Sequence, residues 1–178
     1  MTAIKIDEVT DAERALWPQS VIVPFDDAFT DDRGEILPLV DLPMRSAVMI
    51  TSKKGTVRAN HYHKTDWHFC LVISGSIEYY HRPHGSQDAP EKVVIQKGQQ
   101  FFTPPMVDHA MVFPEDTTFL TLGRNSRRQE VYEADVERID AINLSATGPM
   151  LIGYGVGLHL GEVLYGNIGA LERLDFTV

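Results

Sequence analysis

Five of the seven histidines fall between His61 and His84. In the run RANHYHKTDWHFCLVISGS, His61 and His63 stand one residue apart. On an extended strand, residues i and i+2 project to the same face. His68 opens the apolar run FCLVISG, and a short Lys64–Trp67 connection lets it return to the same interior. His109, in GQQFFTPPMVDHAMVF, is the candidate from a distant strand. Pro104-Pro105 just before it imposes extended or turn backbone and removes two donors, so this segment belongs at a sheet edge or barrel mouth. Imidazoles gathered this way suit one divalent transition metal ion, of which Fe, Mn, Ni, Zn and Cu are all candidates. Imidazoles also move protons near neutral pH, which makes His63 and His68 candidate acid–base groups.

Arginines supply the complementary chemistry. Arg58, three residues before His61, is the better substrate candidate, with Arg33, Arg45 or Arg124 as further residues to reach the site mouth. Guanidinium forks bind phosphate or carboxylate through paired hydrogen bonds. Arg127 and Arg128 read instead as a solvated turn pairing with Glu130, Glu133 or Glu137, and His81 and His84 as exposed residues flanking a Pro/Gly loop. Cys70 shares strand parity with His68 and reads as a small buried hydrophobe. Tyr62 should face away from His61 and His63, and Phe101 and Phe102 should face opposite ways.

The elements that must hold these residues are strands. From Ser20 to about Thr121, short apolar runs (VIVPF, EILPLV, SAVMIT, FCLVISGSIEYY, KVVIQ, QFFTP, HAMVF, TTFLTLG) alternate with Asp, Gly, Pro, Ser and Lys clusters, the pattern of an all-β sandwich or barrel. HRPHGSQDAPE reads as a hairpin loop. A short helical turn is expected over Asp11–Trp17, ended by Pro18, and one or two more over Glu130–Ala141. The division is an N-terminal extension over 1–19, a barrel with its flanking helical turn over 20–141, and a glycine-rich appendage over 142–178. The appendage is expected to pack on the barrel or a dimer partner, and the bland reading is favoured for its His159.

Composition bounds the function. The chain has 178 residues, 43% hydrophobic and 23% charged, an ordinary globular balance for one domain. A net charge of −9 argues against nucleic acid or an anionic membrane as the main partner. The single cysteine excludes an intramolecular disulfide framework and a multi-cysteine zinc cluster. The N-terminus lacks an apolar signal region, and the uncharged stretch Ala141–Gly161 is too polar and glycine-rich for a membrane span, so a cytoplasmic protein is expected. Nucleophile-elbow, phosphate-loop, dinucleotide and CxxC motifs are absent from the sequence.

Two spacings carry a resemblance. Gly55, His61, His63, His68 and Gly75 resemble the first motif of the cupin superfamily, with His68 where a glutamate is usual. Gly98, Pro104 and His109 resemble the second, with Met106 in place of a glycine and Phe113 in place of an asparagine. The resemblance implies a single-domain cupin jelly-roll β-barrel and metal ligands His61, His63 and His109, with His68 a possible fourth. A further likeness, carried by Asp32-Arg33-Gly34, Arg58, the His pair, Tyr132, Asp135 and Arg138, is to cupin-type nucleotide-sugar epimerases and ketoisomerases. It implies proton transfer by histidine beside a sugar ketone, arginines at a diphosphate and generally no metal; that pattern tends to a glutamine where this chain has Trp67-His68. The expectation is therefore a homodimeric cupin isomerising or epimerising an anionic, oxygen-rich small molecule. A metal-dependent dioxygenase or other oxidoreductase, or a non-catalytic metabolite-binding cupin, is the alternative.

Overall fold

The long apolar run Phe69–Tyr80 is not one strand but two, divided at Gly75. That glycine has φ +78°, and a Cβ there would lie 2.6 Å from the Asp116 carbonyl oxygen and 2.8 Å from Thr117 Cα. Only glycine fits this corner, where the chain passes from one sheet to the other. In the computed structural model, which describes residues 6–139, twelve strands and two short helices follow one another. Helix α1 (Asp11–Arg14) precedes β1 (Ile22–Val23), β2 (Phe29–Asp31), β3 (Gly34–Ile36), β4 (Ser46–Ser52) and β5 (Val57–His63). Then come β6 (His68–Ser74), β7 (Ser76–Pro83), β8 (Glu91–Gln96), β9 (Gln100–Thr103), β10 (Val107–Val112) and β11 (Thr117–Gly123). Helix α2 (Gln129–Asp135) and β12 (Val136–Arg138) close the described chain.

Two five-stranded sheets, in the orders β1-β9-β6-β11-β4 and β12-β5-β10-β7-β8, contain only antiparallel pairs. This is the all-β barrel expected from the spacing of apolar runs. Alternation sends Cys70, Val72, Ile77, Tyr79, Phe101, Phe113 and Phe119 into one shared core. Phe102 faces the other way and joins Trp67 and Phe69 beneath Trp17, Val40 and Leu42 on the outer side of the first sheet. Val9 and Trp17 thereby pack the described part of the N-terminal extension against this sheet. Thr10 caps α1 in a capping box with Glu13. Buried Arg124 then grips Glu13 and the Asp7 and Glu8 carbonyls.

The 83–90 loop closes an antiparallel β7–β8 hairpin, as its composition suggests. By contrast, β2 and β3 pair only with each other. The apolar runs did not signal β12, which adds to the edge of the second sheet beside β5. The appendage over 142–178, with His159, lies outside the described residues. No helix among the described residues is long and apolar enough to cross a membrane.

Candidate active site

A cavity of about 360 Å³ is lined from both sheets. Arg58, His61, His63, His109 and Met111 come from β5 and β10, and Val48, Ile50, His68, Cys70, Phe119 and Thr121 from β4, β6 and β11. Arg127, Gln129 and Tyr132 reach it from α2 and the turn before it.

Strand β5 needs an irregularity to present its side chains this way. Arg58 and His61 are three residues apart and would face opposite sides of a regular strand. Ala59 and Asn60 have φ 69° and 52°, and the β5–β10 register shifts at this point, with Ala110 opposite Ala59 and His109 opposite His61. The bulge brings Arg58 and His61 to the same cavity. Met106, also at positive φ (58°), holds the turn into β10 where the resembling motif has glycine. Its N–H donates to the His63 carbonyl at 2.8 Å, tying the two histidine-bearing segments together.

The rings of His61 and His63 lie 4.8 Å apart, His61 and His109 4.7 Å, and His63 and His68 5.3 Å. His63 is fully buried, with Nδ1 2.9 Å from Asp135 Oδ2. Asp135 also accepts from the Thr65 N–H (2.8 Å) and hydroxyl (2.6 Å), and more loosely from the Asp66 N–H. Burial raises the Asp135 pKa, but the bonds from His63 and Thr65 outweigh it and hold the carboxyl below its ordinary value. Burial, reinforced by neighbouring imidazoles, pushes His61 down to about 2 and His109 down to about 3. It also lowers His68 well below the usual range. His61, His68 and His109 are therefore neutral rings, the form that accepts protons or binds metal.

Ligating atoms of His61, His63 and His109 lie within 4.8 Å of one another. His109 Nδ1 donates to the Val107 carbonyl at 3.0 Å, and its buried Nε2 has no partner among the described residues. Asp135 behind His63 is the kind of outer carboxylate that orients a ligating imidazole. These residues fit a divalent transition metal. His68 does not join that trio: its close donor set is His63 and Asp66. The four-histidine arrangement is divided because His68 comes from the opposite sheet.

Other expectations need correction. Arg33 is exposed on the β2–β3 hairpin, held by Asp31, and does not line the cavity. Arg45 faces Asp7 at the surface, and Arg124 is used up by the N-terminal segment. Arg127, expected in a solvated turn, is instead half-buried at the cavity, its guanidinium 4.8 Å above the Tyr132 ring. Of the three acids expected to pair with it, Glu133 is engaged by Arg138 and Glu137 by Lys64. His84 is not free in solvent but bonds buried Asp108 at 2.8 Å, and His81 buries its Nε2. Tyr62 does face outward and stacks on His84. The sequence analysis did not single out Asp66, which stands two residues before His68 and also accepts from the distant Asn125 N–H at 2.8 Å.

No protein-family model and no curated protein matches this sequence. Solved structures do. A mutant of the 3,4-ketoisomerase QdtA from Thermoanaerobacterium thermosaccharolyticum, in complex with TDP-4-keto-6-deoxyglucose, is 17% identical with a TM-score of 0.53, covering 66% of this chain and 86% of that one. A 3,4-ketoisomerase from Helicobacter canadensis is 18% identical with a TM-score of 0.54, covering 66% and 89%. The dTDP-4-dehydrorhamnose 3,5-epimerase from Sulfolobus tokodaii is 18% identical with a TM-score of 0.51, covering 67% and 82%. What this chain shares with all three is the fold, the cupin jelly-roll barrel.

Proposed function

We propose that the chain isomerises or epimerises a ketosugar carried on a nucleoside diphosphate, with His63 as the proton carrier and Asp135 as its positioning partner. The observation that carries this reading is the buried His63–Asp135 pair at a cavity lined by neutral imidazoles. The fold shared with sugar ketoisomerases and an epimerase supports the choice of substrate class. In the tautomer that donates Nδ1–H to Asp135, Nε2 is the atom of His63 left to accept a proton. That atom takes the proton from the carbon next to the ketone, and the C–H electron pair moves into the carbonyl to give an enolate. Asp135 balances the imidazolium that forms. Returning the proton to the neighbouring carbon, with the hydroxyl proton shifting between oxygens, moves the ketone; returning it to the opposite face of the same carbon, through a second donor, inverts that centre. Tyr132, its ring 5.9 Å from that of His63, places a phenol as donor near the developing oxyanion. Arg127 supplies the fork for the diphosphate, whereas Arg58 is partly occupied by Ser52 Oγ and the Thr51 carbonyl.

A second reading has its own observation, the three converging imidazoles. A divalent transition metal would be held by His61, His63 and His109 and, when bound, would polarise the substrate carbonyl as a Lewis acid. His63 would then be a ligand, with Asp135 orienting it. The test is incubation of metal-free protein with TDP-4-keto-6-deoxyglucose in deuterated buffer without oxygen. Deuterium entering beside the ketone, and lost in His63→Ala, supports proton transfer by His63. Exchange that appears only after metal is restored favours the second reading, and oxygen-dependent turnover removes both.

A further inference from the structure

We propose that His63, Asp66 and His68 form a separate, buried site for a divalent transition metal, zinc foremost, whose occupation withdraws His63 from proton transfer. Only the withdrawal rests on the function proposed above; the site itself does not. All three side chains are buried, at 1%, 4% and 3% exposure, and their ligating atoms lie within 4.8 Å of one another. His68 Nδ1 is buried with no hydrogen-bond partner among the described residues. Asp66 Oδ2 faces it at 3.9 Å, too far for a hydrogen bond. Two ligands sharing a tetrahedral zinc ion, with bonds of about 2.0–2.2 Å, stand roughly 3.3–3.6 Å apart, so a small inward movement closes this gap on an ion.

Charge points the same way. Asp66 and Asp135 are both buried, and the Asp66 N–H lies 3.3 Å from both Asp135 oxygens. Among the described residues neither carboxylate has a lysine or arginine within ion-pair distance; their charged-group neighbours are His68 and His63. Burying carboxylates without a cation is costly, and an ion between Asp66 and the imidazoles supplies the missing charge. The donors, two imidazoles and one carboxylate, are of the type that zinc accepts.

The experiment uses the full chain, stripped of metal, titrated with zinc chloride by calorimetry, with zinc content measured after dialysis. One zinc per chain is expected. Asp66→Ala and His68→Ala should each weaken it by more than roughly 100-fold, beyond the 10–100-fold typical of losing an outer-shell partner. His61→Leu with His109→Leu should leave affinity within about threefold, a smaller change than an outer-shell loss gives. Should the alanine variants fail to fold, Asp66→Asn and His68→Phe replace them, with thermal melts as control. No zinc binding, or binding lost in the His61/His109 pair and kept in the Asp66 and His68 variants, overturns the site. Equimolar zinc should also suppress the deuterium exchange of the metal-free protein. Full exchange with zinc bound overturns the withdrawal, while absence of exchange without metal counts against the proposed function and leaves the zinc result to decide the site.

Discussion

Among the described residues two histidine–aspartate pairs have nearly equal bond lengths, His63–Asp135 at 2.9 Å and His84–Asp108 at 2.8 Å. Both carboxylates are buried, and both bond an imidazole Nδ1. Their surroundings differ. Asp108 also receives Arg82 at 3.3 Å, and His84, a third exposed, stacks on Tyr62 outside the cavity. Its charge is met by a guanidinium, and its imidazole does not line the cavity that holds His63. Asp135 is held by Thr65 and the Asp66 N–H, with no guanidinium at ion-pair distance among the described residues, and its imidazole lines the cavity. The pair geometry alone therefore says little about chemistry. What separates a proton carrier from a structural clamp is the cavity beside the ring and the absence of a competing cation at the carboxylate.

Substitutions at the two pairs test that contrast most severely. His63→Ala should cut deuterium exchange by roughly 10²–10⁴-fold, the usual contribution of a general acid–base group. Asp135→Asn should approach the same loss, because an amide can accept from the ring without stabilising its charged form. Asp108→Asn should leave exchange within about threefold and instead lower stability by roughly 1–3 kcal/mol, measured by urea unfolding. Equal exchange losses in Asp108→Asn and Asp135→Asn would erase the distinction. A smaller effect is expected at the arginine that faces the cavity instead of a carboxylate. Arg127→Ala should weaken TDP binding by roughly 10–100-fold, corresponding to a lost charged hydrogen bond of about 1.5–3 kcal/mol. Arg33→Ala, on the exposed hairpin, should not change binding to the isolated chain.

How much of this was legible in the sequence depends on how local the cause was. Alternation alone placed Cys70 inward, Tyr62 outward, and Phe101 and Phe102 on opposite faces, because strand parity is a property of neighbouring residues. The gathering of His61, His63 and His109 followed from motif spacing, and the cavity contains all three. Arg58 also lines it, though by a bulge that no residue type announced. Failures came where partners arrive from far along the chain. Arg124 looked available because its captor, Glu13, is distant in sequence, and Arg127 looked spent because Glu130 and Glu133 are near. His68, a possible fourth ligand by motif spacing, lines the same cavity from the opposite sheet, with His63 and Asp66 as its close donor set. A residue's type shows what it can do, but its competitors are set by topology.

Glu13 completes the contrast as a carboxylate fully matched by a guanidinium, and it should behave as neither histidine partner does. The Arg124 side-chain bond is the largest influence on it, and with the Thr10 bonds it overcomes burial to hold the pKa at about 2, against an ordinary value of 4.5. A folded-state pKa below the unfolded value means that stability is fully present above about pH 4.5 and drains away as pH falls towards about 2. Glu13→Gln removes the charge while keeping a hydrogen-bonding group at the third position of the helix. Near pH 7 it should lower the melting temperature by roughly 2–4 °C, about 1 kcal/mol for a chain of this size. The gap should close between pH 4.5 and 2, as wild-type Glu13 becomes protonated. Deuterium exchange at the cavity should be unaffected, since Arg124 and Glu13 do not line it. A melting difference that stays constant down to pH 2 would show that the Arg124 charge is not what Glu13 contributes, and that the N-terminal segment is held by packing beneath Trp17 instead.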